Sequence, residues 1–81
     1  MSRNHAISIS PLAQTIAIGH FYEHYKGAHY QVIGIAFHTE TLEELVVYLD
    51  QYGTTWARPV TMFIEDIIVD GQKRPRFRPV L

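Results

Sequence analysis

The sequence predicts an all-β domain, and three observations carry that prediction. Short runs rich in aromatic and β-branched residues, as in His20 to Tyr25 and His29 to Phe37, have the composition of strands. Glycine closes such runs at Lys26-Gly27, Tyr52-Gly53 and Asp70-Gly71, where tight turns belong. Gly34 interrupts the longest run, as at a bulge or bend where a small sheet curls.

The elements follow in order. Residues 1–18 form an N-terminal extension. Met1 to His5 is polar and expected to be mobile. Ile7 to Ile18 is too apolar to remain in water, so it is expected to dock on the domain or on a partner chain, where it would serve as a dimerising segment. Within it, Ser10-Pro11 opens a short helix, with serine as N-cap and proline at the first helical position.

Residues 19–81 form the domain itself. His20 to Tyr25 and His29 to Phe37 are the arms of a hairpin. With a tight turn, His24 lies opposite His29, Tyr22 opposite Gln31 and Phe21 opposite Val32. Phe21, Tyr25, Tyr30 and Val32 then supply an inner wall, and His20, Tyr22, His24, His29 and Gln31 occupy the other face. Residues 42–50 read two ways. Thr41 to Glu44 fits a helical capping box, with Leu42, Leu45, Val46, Leu49 and Tyr52 on one stripe. Val46-Val47-Tyr48 favours strand, as do the short β elements on either side.

Thr54 to Arg58 is a short strand that Pro59 stops. Val60 to Phe63 is a single 3₁₀ turn, placing Met62 and Phe63 inward. Ile64 to Val69 is a strand, Asp70-Gly71 turns the chain, and Lys73 to Phe77 returns as the last strand, with Pro75 at an edge and Pro79 ending the order. About five short strands with one 3₁₀ turn before a late strand describe a small SH3-like β-barrel, which also limits exposed sheet edges.

Composition bounds the function. The 81 residues make one domain with one small core. With 47% hydrophobic and 19% charged residues, the chain is ordinary for a globular protein. It has no cysteine, which removes disulfides, thiolate catalysis and cysteine-ligated zinc, and makes a reducing cytoplasm the simpler expectation. No run reaches the roughly 20 apolar residues of a membrane span, and no signal peptide follows Arg3. A net charge of −1 predicts no overall attraction for nucleic acid. Four bases do cluster at Lys73, Arg74, Arg76 and Arg78.

An ordered set of short motifs carries a family resemblance: Gly19-x-x-Tyr22-x-His24-Tyr-Lys-Gly27, Tyr30-x-Val32, Ala36-x-His38-x-Glu40-Thr41, Leu45-Val-Val-Tyr48, Tyr52-Gly53, Trp56-x-Arg58-Pro59, Met62-Phe63-x-Glu65 and Pro75-Arg76-Phe77. Together these resemble the bacterial domain-of-unknown-function family 1653 over about residues 19–78. The resemblance implies an SH3-like barrel and a strand over Leu45 to Tyr48. It brings no activity, substrate, cofactor or catalytic residue.

Three groups of residues offer chemistry. In the first, His20, His24 and His29 share one face of the hairpin, where imidazoles can converge on a metal ion with Glu40 or His38 completing the site, and His38 with Glu40 offers an acid–base pair at the next turn. Cross-strand pairing and turn hydrogen bonds account for the same residues without a ligand. In the second, Trp56 and Arg58 share one face of their strand and form a groove wall with Tyr22, Tyr48 or Tyr52, Arg58 stacking on Trp56 or reaching Glu65 or Glu40. A tryptophan that caps the core is the competing reading. In the third, Lys73, Arg74, Arg76 and Arg78 around Phe77 hold phosphates while the ring stacks a base, unless they only protect a sheet edge.

The reading that follows is a non-enzymatic binding module with an aromatic groove for a protein or peptide partner. The alternatives are nucleic-acid binding through the basic C-terminal strand, or a small metal-dependent enzyme on the histidine-rich hairpin. No cofactor is expected.

Overall fold

A computed structural model describes residues 7–80. The expected mobility of Met1 to His5 lies outside the described residues. A 3₁₀ turn at Ala13–Thr15 precedes strands β1 (Phe21–His24), β2 (His29–Phe37), β3 (Glu44–Leu49) and β4 (Thr55–Pro59). A helical turn, α1 (Val60–Phe63), leads to β5 (Asp66–Val69), β6 (Gln72–Pro75) and β7 (Phe77–Val80). Five strands form an antiparallel sheet in the order β4-β3-β2-β1-β7, and β5 pairs with β6 alone. The all-β class is as expected. Among the described residues no helix is long and apolar enough to cross a membrane.

Seven described strands stand where about five were expected; residues 42–50 hold strand β3, and the last strand divides in two. Gln72–Pro75 pairs with β5; the chain then kinks at Arg76 and Phe77–Val80 pairs with β1. Arg76 joins the two sheets through its backbone: its N–H donates to Glu65 O at 2.9 Å, and its O accepts from Tyr25 N–H at 2.9 Å. Order does not end at Pro79, which lies in β7 opposite Tyr22. β7 is a sheet edge, where a residue without an N–H is tolerated. The turn at Val60–Phe63 is α-helical rather than 3₁₀, since Ile64 N–H donates to Val60 O across four residues. It buries Phe63 but leaves Met62 exposed.

The hairpin register differs by one residue from the tight-turn expectation. Phe21 lies opposite Gln31, Tyr22 opposite Tyr30 and Glu23 opposite His29. The cause is a three-residue loop, Tyr25-Lys26-Gly27. His24 N–H donates to Ala28 O and Gly27 N–H to His24 O, with Gly27 at φ 101°. A one-residue slip exchanges the faces of a strand. Tyr22 is therefore buried, and Phe21, expected inside, is 52% exposed. The bend expected at Gly34 is present as a register shift between Val32 and Gly34.

The core lies on one side of the five-stranded sheet. Val32, Val46, Tyr22, Tyr48 and Phe77 come from its strands, Val60 and Phe63 from α1, and Ala13 and Ile16 from the extension. The apolar extension thus docks within its own chain. Ser10 caps the turn, its Oγ accepting from Ala13 N–H at 3.1 Å. It also donates through both N–H and Oγ–H to the Glu44 carboxylate at 2.6 Å each. Those two bonds, side chain first, hold the Glu44 carboxyl below its ordinary range. Ile16→Ala, measured by urea unfolding of the full chain, is expected to cost about 2–5 kcal/mol, the range for truncating a buried isoleucine. A loss near zero would show that the extension is not part of the core.

Candidate functional site

The sheet separates the residues of the histidine hypothesis. Glu23 and His29 are cross-strand partners on the outer face, with His29 Nε2 3.5 Å from Glu23 Oε2. His24 points the other way and packs edge-on against Phe77, ring centroids 4.9 Å apart. Its Nδ1 accepts Lys26 N–H at 3.2 Å. His38 lies past the far end of β2, the strand that His29 begins. There its Nδ1 accepts the N–H groups of Glu40 and Thr41 at 3.1 and 3.2 Å, so it organises a turn. Glu40 is exposed beside it. His24, His29, His38 and Glu40 therefore do not meet, and among the described residues no cluster of three or more histidine or carboxylate side chains is placed to hold a metal ion.

The basic C-terminal stretch is largely paired with acids. Lys73 lies 3.8 Å from Asp66, Arg76 Nη2 lies 2.9 Å from Glu65 Oε1, and Arg78 bonds Glu23. Phe77 is buried, which leaves its ring no open face for a base. Arg74, exposed, joins Glu23, His24, Tyr25, Pro75 and Arg78 around a shallow cleft of about 370 Å³, whose mixed charges favour no single ligand.

The second group assembles in part, around Trp56, Arg58 and Tyr48. Tyr48 on β3 is the register partner of Trp56 on β4, and Val46 that of Arg58. Trp56 and Arg58 consequently share the core-side face. Trp56 is 50% exposed, not a core plug. Its indole N–H donates to Asp50 Oδ2 at 2.9 Å, while Asp50 Oδ1 accepts from Tyr52 and Thr54 N–H at 2.8 and 2.9 Å. One carboxylate thereby shapes the β3–β4 turn and fixes the tryptophan. The indole bond is the main cause that lowers the Asp50 pKa, with the two backbone bonds adding to it. Tyr22 stays in the core and does not line this surface; its Oη accepts Ala17 N–H. Tyr52 is 83% exposed at the turn.

Arg58 is half-buried, and its guanidinium carbon sits 5.8 Å from the Phe77 ring centroid. Its Nε–H points to Tyr48 Oη at 3.4 Å, a long contact. The acid expected to pair with it is elsewhere: Glu65 binds Arg76 and Glu40 lies in the His38 turn. Among the described residues no carboxylate lies within 4.0 Å of Arg58. The His24 pKa is lowered, first by burial and then by Arg58, Arg76 and Lys26. Cations thus gather at this end of the core. Asp50, not among the site residues read from the sequence, is the residue that ties Trp56 to the turn. An aspartate leading the Tyr52-Gly53 turn was its available signal.

A family model for a protein of unknown function, DUF1653, matches residues 20–79. The chain belongs to the DUF1653 family. A crystal structure of a DUF1653 protein from Bordetella bronchiseptica is similar, with a TM-score of 0.74 and 34% identity, over 83% of this chain and 90% of that one. No curated protein matches the chain. The DUF1653 match spans β1 to β7 nearly whole and so includes Trp56, Arg58 and Phe77.

Two outcomes test this geometry. Arg58→Ala is expected to raise the His24 pKa in an NMR titration; an unchanged value would remove Arg58 from the neighbourhood of His24. Asp50 has a folded pKa below its unfolded one, so its contribution is complete above the unfolded value and lost as pH falls through the folded value. Trp56 fluorescence should therefore shift on acidification below the usual aspartate range, and Asp50→Asn should abolish that step.

Proposed function

We propose that this DUF1653 domain is a non-enzymatic binding module for a protein or peptide partner, acting in the cytoplasm, with the β3–β4 surface around Trp56 and Arg58 as its contact site. The observation that supports this is Arg58. A half-buried guanidinium has lost part of its hydration, and such groups are normally compensated by a carboxylate. Arg76 and Arg78 have such partners; Arg58 has an aromatic ring and a distant hydroxyl. A partner that supplies an acceptor would complete it. Trp56 beside it offers a broad apolar face already held in one orientation, which lowers the entropy cost of contact. Tryptophan, tyrosine and arginine are the residue types that dominate binding energy at interfaces.

Cross-linking in cells, with the wild type and single variants as baits, tests the proposal. A partner is expected that is lost with Trp56→Ala and with Arg58→Ala but kept with Ile68→Ala, a control on the exposed β5 surface. In the purified pair, Trp56→Ala should weaken binding by about 30-fold or more, as for an interface hot spot. Its melting temperature should stay close to that of the wild type, because the side chain is half exposed. A partner insensitive to both substitutions would overturn the assignment of the surface.

A further inference from the structure

β4 is one edge of the five-stranded sheet and pairs only with β3. Asp50 N–H donates to Thr54 O, which fixes the alternation along this pair. Trp56 and Arg58 turn their backbone groups towards Tyr48 and Val46. Thr55 and Ala57 turn theirs outward, and no other described backbone group bonds them. Thr55, Trp56 and Ala57 are all exposed. Pro59, the next outward position, has no N–H to leave unpaired.

We infer that β4 accepts an extended acidic peptide segment as an added antiparallel strand, with a carboxylate of that segment on Arg58 and an apolar side chain on Trp56. The inference rests on the proposed binding role and specifies its partner. In such a pairing, the narrow hydrogen-bonded positions fall at Thr55 and Ala57. Trp56 and Arg58 then occupy the non-hydrogen-bonded positions, where facing side chains approach most closely. The partner runs opposite to β4, so the residue facing Arg58 precedes the one facing Trp56 by two. The recognised pattern, read from its N-terminus, is acidic–any–apolar. Arginine suits this task because its planar donors grip a carboxylate in a bidentate fashion.

Charge complementarity argues against a second copy of this chain as the occupant. A two-fold pairing of β4 with itself that matches Thr55 and Ala57 sets Thr54, Tyr52 or Trp56 opposite Arg58. None of these supplies a carboxylate.

The test uses the full chain and a library of seven-residue threonine–valine peptides randomised at the third and fifth positions, read by the fluorescence of Trp56, the sole tryptophan. Aspartate or glutamate at the third position and an apolar residue at the fifth are expected to be enriched. Glutamine in place of the acid should weaken binding by about tenfold, the loss of a charged hydrogen bond. Arg58→Glu should reverse the preference to lysine or arginine. On saturation with the best peptide, amide exchange at Thr55 and Ala57 should slow by about tenfold or more, while Ile68 is unchanged. Enrichment without an acid, a basic preference in the wild type, no enrichment at all, or unprotected Thr55 and Ala57 amides would each overturn the inference. So would a dimer of the free protein that Trp56→Ala dissolves. If cross-linking still finds a partner that depends on Trp56 and Arg58, the binding role stands and only the strand addition falls.

Discussion

The stack of Phe63 on Phe77 is the contact on which the rest of the molecule depends. The rings lie 4.2 Å apart at 9° to each other. Tyr22 and Tyr48 pack around Phe63, and His24, Tyr30 and Tyr48 around Phe77. The two stacked rings are thus where β1, β2, β3, α1 and β7 meet. In a domain this small a single core must carry nearly all the stability. The demand to place Phe77 there explains the kink at Arg76: β6 follows β5 outward, and the chain must break from it to bring Phe77 back against β1.

The same stack sets the chemistry of the surface. Arg58 lies over the Phe77 ring, and Tyr48, packed beside both Phe63 and Phe77, holds its hydroxyl near the guanidinium. From the turn side, Asp50 ties down Trp56. A flexible arginine on an open strand would have to be ordered at each encounter. Here much of that ordering is done by the core, so the loss of side-chain freedom on binding is reduced. Rigidity of this kind favours recognition, and it places the most chemically exposed features of the domain on one strand and its neighbour.

Much of this fold was legible in the sequence because it depends on local signals. Gly27, Gly53 and Gly71 mark turns in which each adopts positive φ, Gly34 marks the bulge, and Ser10-Pro11 marks the capped turn. The strand at residues 44–49 needed context, since Leu42, Leu45 and Leu49 fit a helical stripe equally well; Val46 and Tyr48 are buried and Leu45 and Val47 are not, a strand's alternation. What local pattern did not convey was register. Lys26-Gly27 reads as a tight turn, yet the loop holds three residues, and that one residue sends Tyr22 inward and parts His24 from His29. The split of the last strand was equally hidden, because Pro75 reads as an edge residue and Pro79 as the end of order until the tertiary position of Phe77 is known. At the site, the pairing of Trp56 with Arg58 followed from alternation alone. The absence of a nearby carboxylate for Arg58 did not, since only the tertiary fold commits Glu65 to Arg76 and leaves Glu40 in the His38 turn.

The two edges of the main sheet are not treated alike, and the difference has a physical reading. An unpaired edge invites indiscriminate association, and proteins blunt it with proline, charge or cover. β7 carries Pro79 and has Arg78 engaged with Glu23, so it lacks one donor and presents a paired charge. The separate hairpin is guarded by Lys73, Arg74 and Pro75 on β6. β4 is blunted only at its end, by Pro59. Along its middle, Thr55 and Ala57 leave backbone groups unguarded, with small side chains that do not obstruct an approaching strand. A charge placed among them would be the usual protection, but the charge that is present, Arg58, turns to the core side and lies on Phe77. The device that elsewhere repels association is here turned away from the edge, which is the asymmetry the proposed strand addition would use.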